Sequence, residues 1–265
     1  MSGWLDPVRN ALDVSPEPIT FFFRDDDGGW SDERLFKLLD LFDHHGLPID
    51  LAIIPQALTP ALARSIRDRI EANTRRIGIH QHGFAHVNHE PEGRKCEFGP
   101  ARAEELQEHD ISSGKRMLYE LFGPTIQPIF TPPWNRCTAQ TGDCLIRLGF
   151  RVLSRDSSAA PLDIPGLSEL PVRIDWFAKH KGVRLNVNQL GALIAEACRE
   201  EKPVGVMFHH ALMDGDELRA TGELLALLAA HDRAECRLMQ TAASRIYRRG
   251  RKVASRSVTI PCEEE

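Results

Sequence analysis

Three consecutive acids, Asp25, Asp26 and Asp27, follow the aromatic run Phe21-Phe22-Phe23 and Arg24 and lead straight into Gly28-Gly29. An apolar run that breaks into acids and glycines reads as a buried strand ending where the backbone turns sharply. Adjacent carboxylates repel one another, so a cation, a shared proton or open water must offset their charge. A second cluster, His80-Gln81-His82-Gly83-Phe84-Ala85-His86 with His89 beyond, supplies the donors a cation site needs. His82 and His86 come to one side across a helical turn or a compact loop, whereas a strand that ran on would place His80 and His82 on one face. Two imidazoles and one carboxylate form a three-ligand site for zinc or a similar divalent ion and leave a position for water. A bound ion lowers the pKa of that water, and a second acid can orient it and take its proton. On this reading one Asp of the triplet ligates and another acts as base.

Two further strand ends converge on the same rim. Asp175 follows Arg173-Ile174, and His209-His210 follow the apolar run Val204 to Phe208. An ionised Asp beside an imidazole fixes its tautomer and favours its protonated form, so Asp175 could hold whichever of the two histidines protonates a leaving group. Trp134 and Trp176 could each shape a cleft or fill the core.

The elements that must position these residues alternate from end to end. Strands are expected at Ile19 to Phe23, Ile49 to Ile54, Arg76 to His80, Ile126 to Phe130, Phe150 to Leu153, Leu170 to Ile174 and Val204 to Phe208, with a last one near Cys236 to Met239. Helices are expected between them. Ser31 can cap one carrying Leu35, Leu38, Leu39 and Phe42, and others span about 60–73, 101–122, 138–148, 187–200 and 216–231. The stretch from Ser154 to Ser168 reads as loop, and a short helix runs on to Arg248. Seven or eight such units without a linker-like break predict one barrel-like α/β domain over 1–265, with its core at about 19–239. No Gly-x-Gly-x-x-Gly or Walker sequence occurs, which argues against the commonest nucleotide-binding α/β proteins.

The 265 residues are 42% hydrophobic and 27% charged with a formal charge of -5, a composition that gives no general pull toward nucleic acid or anionic lipid. Arg245 to Arg256 is a local basic exception, read as a solvated face. Six scattered cysteines without a Cys-x-x-Cys pair suggest reduced thiols. The N-terminus shows no secretory pattern and no run is long enough to span a membrane, so cytoplasmic residence is the expectation.

The sequence resembles the polysaccharide deacetylase family, also called the NodB-homology or carbohydrate esterase family 4 group. The resemblance rests on Asp26-Asp27-Gly28, His82-Gly83-Phe84-Ala85-His86, Phe130-Thr131-Pro132-Pro133-Trp134, Asp175-Trp176 and Phe208-His209, in that order, over about Ile19 to Met239. It implies a distorted, incomplete (β/α) barrel of about seven strands and one divalent ion, usually zinc. The implied activity is hydrolysis of an amide bond in a carbohydrate or small-molecule substrate. It further implies Asp26 as general base, and Asp27, His82 and His86 as metal ligands. His209 becomes the general acid, with His210 its rival, Asp175 the residue that orients it, and the backbone N–H of Trp134 an oxyanion donor. Two departures stand out. Thr131 occupies the place of an arginine that normally pairs with the base, for which Arg24 or Arg136 could substitute, and Asp25 is extra. Without a secretion signal the expected substrate is a small amide or a nucleotide- or lipid-linked sugar. The alternatives are a non-catalytic carbohydrate-binding protein or an allantoinase-like cyclic amidase.

Overall fold

A computed structural model describes residues 3–72, 76–200 and 202–244. Its strands are β1 (Ile19–Gly28), β2 (Ile49–Ile53), β3 (Ile77–His82), β4 (Ile126–Thr131), β5 (Val152–Leu153), β6 (Ser168–Glu169), β7 (Ile174–Asp175), β8 (Lys179–His180), β9 (Val183–Arg184), β10 (Val204–Phe208) and β11 (Ala234–Cys236). The helices are α1 (Asp6–Asp13), α2 (Asp32–His44), α3 (Pro60–Ala72), α4 (Glu104–Phe122), α5 (Ala139–Arg147), α6 (Val187–Cys198) and α7 (Gly215–Ala230).

Eight parallel strands follow the order β6-β5-β4-β3-β2-β1-β10-β7, with β11 pairing to the start of β1. The sheet curls into a half-barrel with helices outside, a distorted and incomplete (β/α) barrel. Its ends are drawn together by one extended stretch. Leu170 and Val172 donate backbone bonds to Leu153 and Arg155, and Arg173 and Trp176 donate to Gly205 and Met207. This explains why the strand expected at Leu170 to Ile174 appears as two short ones: the stretch changes partner halfway along.

Strand alternation sorts the core into two faces. Phe21, Phe23, Leu51, Ile53, Ile79, Val206 and Phe208 pack outward in one buried cluster with α2, α3, α6 and α7. Phe22, Ile129, Val152, Leu170, Val172 and Met207 fill the lumen with Met239, Ala242 and Ala243. Gly205 leaves room there, since a Cβ would sit 2.2 Å from the Phe22 ring. Trp176 is fully buried in the outer cluster, so it is core and not cleft wall.

Several expectations need correction. β3 continues through His82, so the histidine cluster begins inside the strand. Ser31 stands at the N-cap position of α2 but in a left-handed conformation, and its side chain makes no capping bond. Helix α1, with Pro7 in its first turn and Val8, Ala11 and Leu12 buried on one face, was not foreseen from the pattern, nor was the β8–β9 hairpin. The basic stretch after Ser244 lies outside the described residues. Among the described residues no helix is long and apolar enough to cross a membrane. Cys96, Cys137, Cys144, Cys198 and Cys236 are free thiols.

Candidate metal centre and active site

The end of β1 delivers its three acids to different places. Arg24 and Asp26 share the lumen face with Phe22, while Asp25 points outward with Phe21 and Phe23. Simple alternation would send Asp27 outward as well. Asp27 instead adopts φ 67, in the left-handed region, and the pairing with β2 slips between Asp25 and Gly28. This break turns the Asp27 carboxylate to the same side as Asp26. Gly29, at φ 121, completes the turn in a conformation that L side chains rarely adopt.

Asp27 Oδ1 lies 3.3 Å from His82 Nε2 and 3.2 Å from His86 Nε2. His82 reaches this point from the end of β3, and His86 from a compact loop at φ 58. Glu97 builds the loop. Its buried carboxylate accepts from the Phe84 N–H at 3.2 Å and the Ala85 N–H at 2.8 Å. Gly83 has no room for a side chain, because a Cβ would fall 2.2 Å from Glu97 Oε2 and 2.5 Å from Pro133. The His86 ring stands between Trp30 and Trp134, at centroid distances of 4.9 and 4.5 Å.

These three residues fit a divalent cation. The His82 Nδ1–H donates to the Thr131 carbonyl at 3.0 Å, which can only accept, so in its neutral form His82 turns the lone pair of Nε2 toward Asp27. Asp27 Oδ1 is buried and has no hydrogen bond of proper geometry. Burial opposes ionisation of Asp27, but His82 and His86 outweigh it and hold the carboxyl well below the usual range. Burial likewise opposes charge on His82, and Asp27 and Asp26 reverse it, raising its pKa. A proton on His82 supplies the positive charge here, and a divalent cation would take the place of that proton. A second group of donor atoms, Glu104, Glu108 and Cys144, already holds the Arg147 guanidinium, at 2.5 Å from Glu104 and 2.6 Å from Glu108.

Beside this point Asp26, 2% exposed, receives a two-pronged bond from Arg24: Nε to Oδ1 at 2.8 Å and Nη2 to Oδ2 at 2.9 Å. Arg24 also donates to the Ser154 hydroxyl at 2.8 Å and to Asn135 Oδ1 at 2.7 Å. The arginine that pairs with this acid therefore comes from its own strand, two residues earlier. Arg136 does not reach, and donates to the Lys95 carbonyl instead. Thr131 shares a hydrogen bond with His80 at 2.9 Å, and burial with the nearby Arg24 and His82 pushes His80 well below its ordinary pKa. Ser154, Asn135 and Glu97 carry no motif signal; strand parity is the one clue to Ser154, which lies two residues from lumen-facing Val152.

His209 and His210 separate by the same alternation. Phe208 packs outward, His209 turns to the lumen side, and His210 folds back to Asp25. His210 is fully buried. Its Nδ1 lies 2.6 Å from Asp25 Oδ2 and its Nε2 lies 2.6 Å from the Trp30 carbonyl, while its backbone N–H donates to Asp25 Oδ1. Both ring nitrogens face acceptors, which defines an imidazolium. Burial works against that charge, yet Asp25 and the Trp30 carbonyl push the pKa up to about 9. His209 has no hydrogen bond at Nδ1, and its ring meets Phe177 edge-on at 6.2 Å. Asp175, on the lumen side of β7, accepts from the Phe177 N–H at 2.8 Å. Burial raises its pKa, and the Phe177 bond and nearby His209 partly offset this. Trp134 sits at φ 55, and the turn bonds around it come from the Asn135 and Arg136 amides.

No family model and no curated protein matches the sequence. Solved structures do match. A candidate polysaccharide deacetylase from Mycobacterium smegmatis superposes with a TM-score of 0.67 at 16% identity, covering 94% of this chain and 96% of the other. A family 4 carbohydrate esterase from Streptomyces lividans gives 0.53 at 17%, over 85% and 95%. A family 4 pseudoenzyme from Bacillus anthracis gives 0.56 at 9%, over 86% and 66%. The chain thus has the fold of the polysaccharide deacetylases, in a divergent form.

Proposed function

We propose that this protein is a metal-dependent hydrolase of C–N amide bonds that removes an acetyl group from the nitrogen of a sugar-containing or small amide substrate. The observation that carries this reading is the convergence of Asp27, His82 and His86, with an unpartnered carboxylate oxygen at their centre, beside a buried Asp26 locked by Arg24. The fold alone does not separate hydrolase from binding protein, since it includes a pseudoenzyme; the intact set of acids and imidazoles favours the hydrolase.

Asp27, His82 and His86 would hold one divalent ion, zinc being the metal best matched to two imidazoles and a carboxylate. When bound, the ion supplies Lewis acidity to the acyl oxygen and lowers the pKa of water. Asp26 takes the proton from the attacking water. Its orientation is fixed by the Arg24 fork, which leaves lone pairs on both carboxylate oxygens for that proton. His209 donates a proton to the departing amine nitrogen, and Asp175 on the same lumen face steadies the imidazolium. The Trp134 amide N–H, outside the hydrogen bonds of its turn, is the donor assigned to the developing oxyanion. The products balance as acetate and a free amine.

Reconstitution with zinc followed by acetate release from N-acetylated sugars and small amides tests the proposal. One ion per chain, lost in His82→Ala, is expected. Absence of a bound divalent ion in the protein with all three ligands intact overturns it.

A further inference from the structure

The β8–β9 hairpin is rooted on the site. Phe177, at its base, donates its N–H to Asp175 and places its ring against His209. From Trp176 to Ala195 the sequence contains no acid, while Lys179, His180, Lys181 and Arg184 all fall on the hairpin, and all four are exposed.

Two features of the hairpin run against its own stability. Lys179 pairs directly opposite Arg184, and like charges across an antiparallel pair are unfavourable. The two-residue turn places both Lys181 (φ 51) and Gly182 (φ 81) in the left-handed region, where Asn-Gly or Gly-Gly is the comfortable sequence and lysine is not. Arg184 finds compensation, lying 4.1 Å over the Phe177 ring and pairing with Glu217 at 2.6 Å. Lys179 and Lys181 make no ion pair among the described residues. Another lysine lies near the ligand His86: Lys95 Nζ sits 6.0 Å over Trp134, the ring that packs on His86. Like-charge repulsion on a hairpin rooted at the site is offset when an anion arrives.

We propose that Lys179 and Lys181 bind an anionic group of the substrate, so that the amide is carried by a phosphorylated sugar and not by a neutral glycan. This rests on the reading of the site as an amide hydrolase, but its test does not require turnover. Calorimetric titration of the full chain at low ionic strength compares N-acetylglucosamine 1-phosphate with N-acetylglucosamine. The phosphosugar should bind at least about tenfold tighter, and the preference should fall severalfold in salt, as exposed charges are screened. The double variant Lys179→Ala/Lys181→Ala should bring the two affinities together while leaving the neutral sugar unchanged; circular dichroism checks that it folds, and Lys179→Gln/Lys181→Asn, with Asn suited to the turn, serves as the second variant. Equal affinities in the unmodified protein, or a preference that survives in both variants, overturn the proposal. Binding only to phosphatidylglycerol vesicles, without discrimination between the sugars, also overturns it and assigns the hairpin to a membrane surface. Absence of hydrolysis with the phosphosugar preference intact would count against the hydrolase reading alone.

Discussion

Two buried ion pairs leave neighbouring residues of β1 in opposite directions. Arg24–Asp26 faces the lumen, and Asp25–His210 faces the helices. Both have 2% exposure or less. They differ in what surrounds them. The lumen pair adjoins the convergence of Asp27, His82 and His86, and its arginine is tied into Ser154 and Asn135. The outer pair is sealed: His210 spends both ring nitrogens and its amide on Asp25 and Trp30, leaving no proton to deliver and no lone pair to offer. Two aspartates adjacent in sequence thus lie in different settings, one beside the candidate metal centre and the other in a closed structural contact. The outer pair joins the ends of β1 and β10 to the Trp30 turn, so it anchors the segments that carry Asp27 and His209.

The strongest way to break this comparison is to remove one charge from each pair. Asp26→Asn should lower kcat about 10²–10⁴-fold, the span for loss of a general base, while metal content holds and melting temperature falls, because Arg24 stays buried without its counter-charge. A variant with undiminished kcat would remove Asp26 from the proposed role.

His210→Ala should act on stability. Leaving Asp25 buried without its partner is expected to cost about 3–5 kcal/mol in denaturant unfolding. A loss under about 1 kcal/mol would mean that the outer pair is not structural.

A pH series sharpens the same contrast. The folded pKa of His210 is about 9, above the unfolded value of 6.5. Its stabilising contribution is therefore complete below about pH 6.5 and is lost as pH rises through 9, amounting to about 3 kcal/mol. Unfolding free energies of the native protein and His210→Gln should converge across that window.

The smallest effect on activity is expected at a lumen acid that lacks a cation. Asp50 is fully buried, accepts one bond from the Met239 N–H at 2.8 Å, and has an unpartnered Oδ1. Burial raises its pKa to about 7, partly offset by that bond. A carboxyl with a raised folded pKa favours the fold most at low pH and loses that contribution as pH climbs from about 4 through 7. Asp50→Asn should flatten this slope and stabilise the protein at pH 8, by up to roughly 4 kcal/mol. An unchanged pH profile would show that Asp50 is not the group responsible.

Much of the site was legible because strand alternation is local. Phe22, Arg24 and Asp26 had to share one face of β1, and Phe208 facing outward had to send His209 inward. Arg24 could be named as a substitute for the missing arginine, although Arg136 could not be excluded on sequence alone. The histidine spacing indicated a shared ion, but not that β3 runs through His82 and that a Glu97-pinned loop supplies His86. That carboxylate reaches the loop from 11 residues beyond His86, and no motif connects them.

The sequence by itself determined the alternation of elements, the types of ligand and the order in which the strand ends present them, since these follow from residue chemistry and short-range periodicity. The tertiary structure alone decided where each acid lies and what it touches. Asp27 joins Asp26 only because the turn against β2 forces a left-handed residue and a slip in register. Asp25 is withdrawn from that group only because β10 lies beside β1 and brings His210 within 2.6 Å. Adjacent carboxylates of one type acquire different roles from partners distant in sequence, and those partners exist only once the sheet has curled.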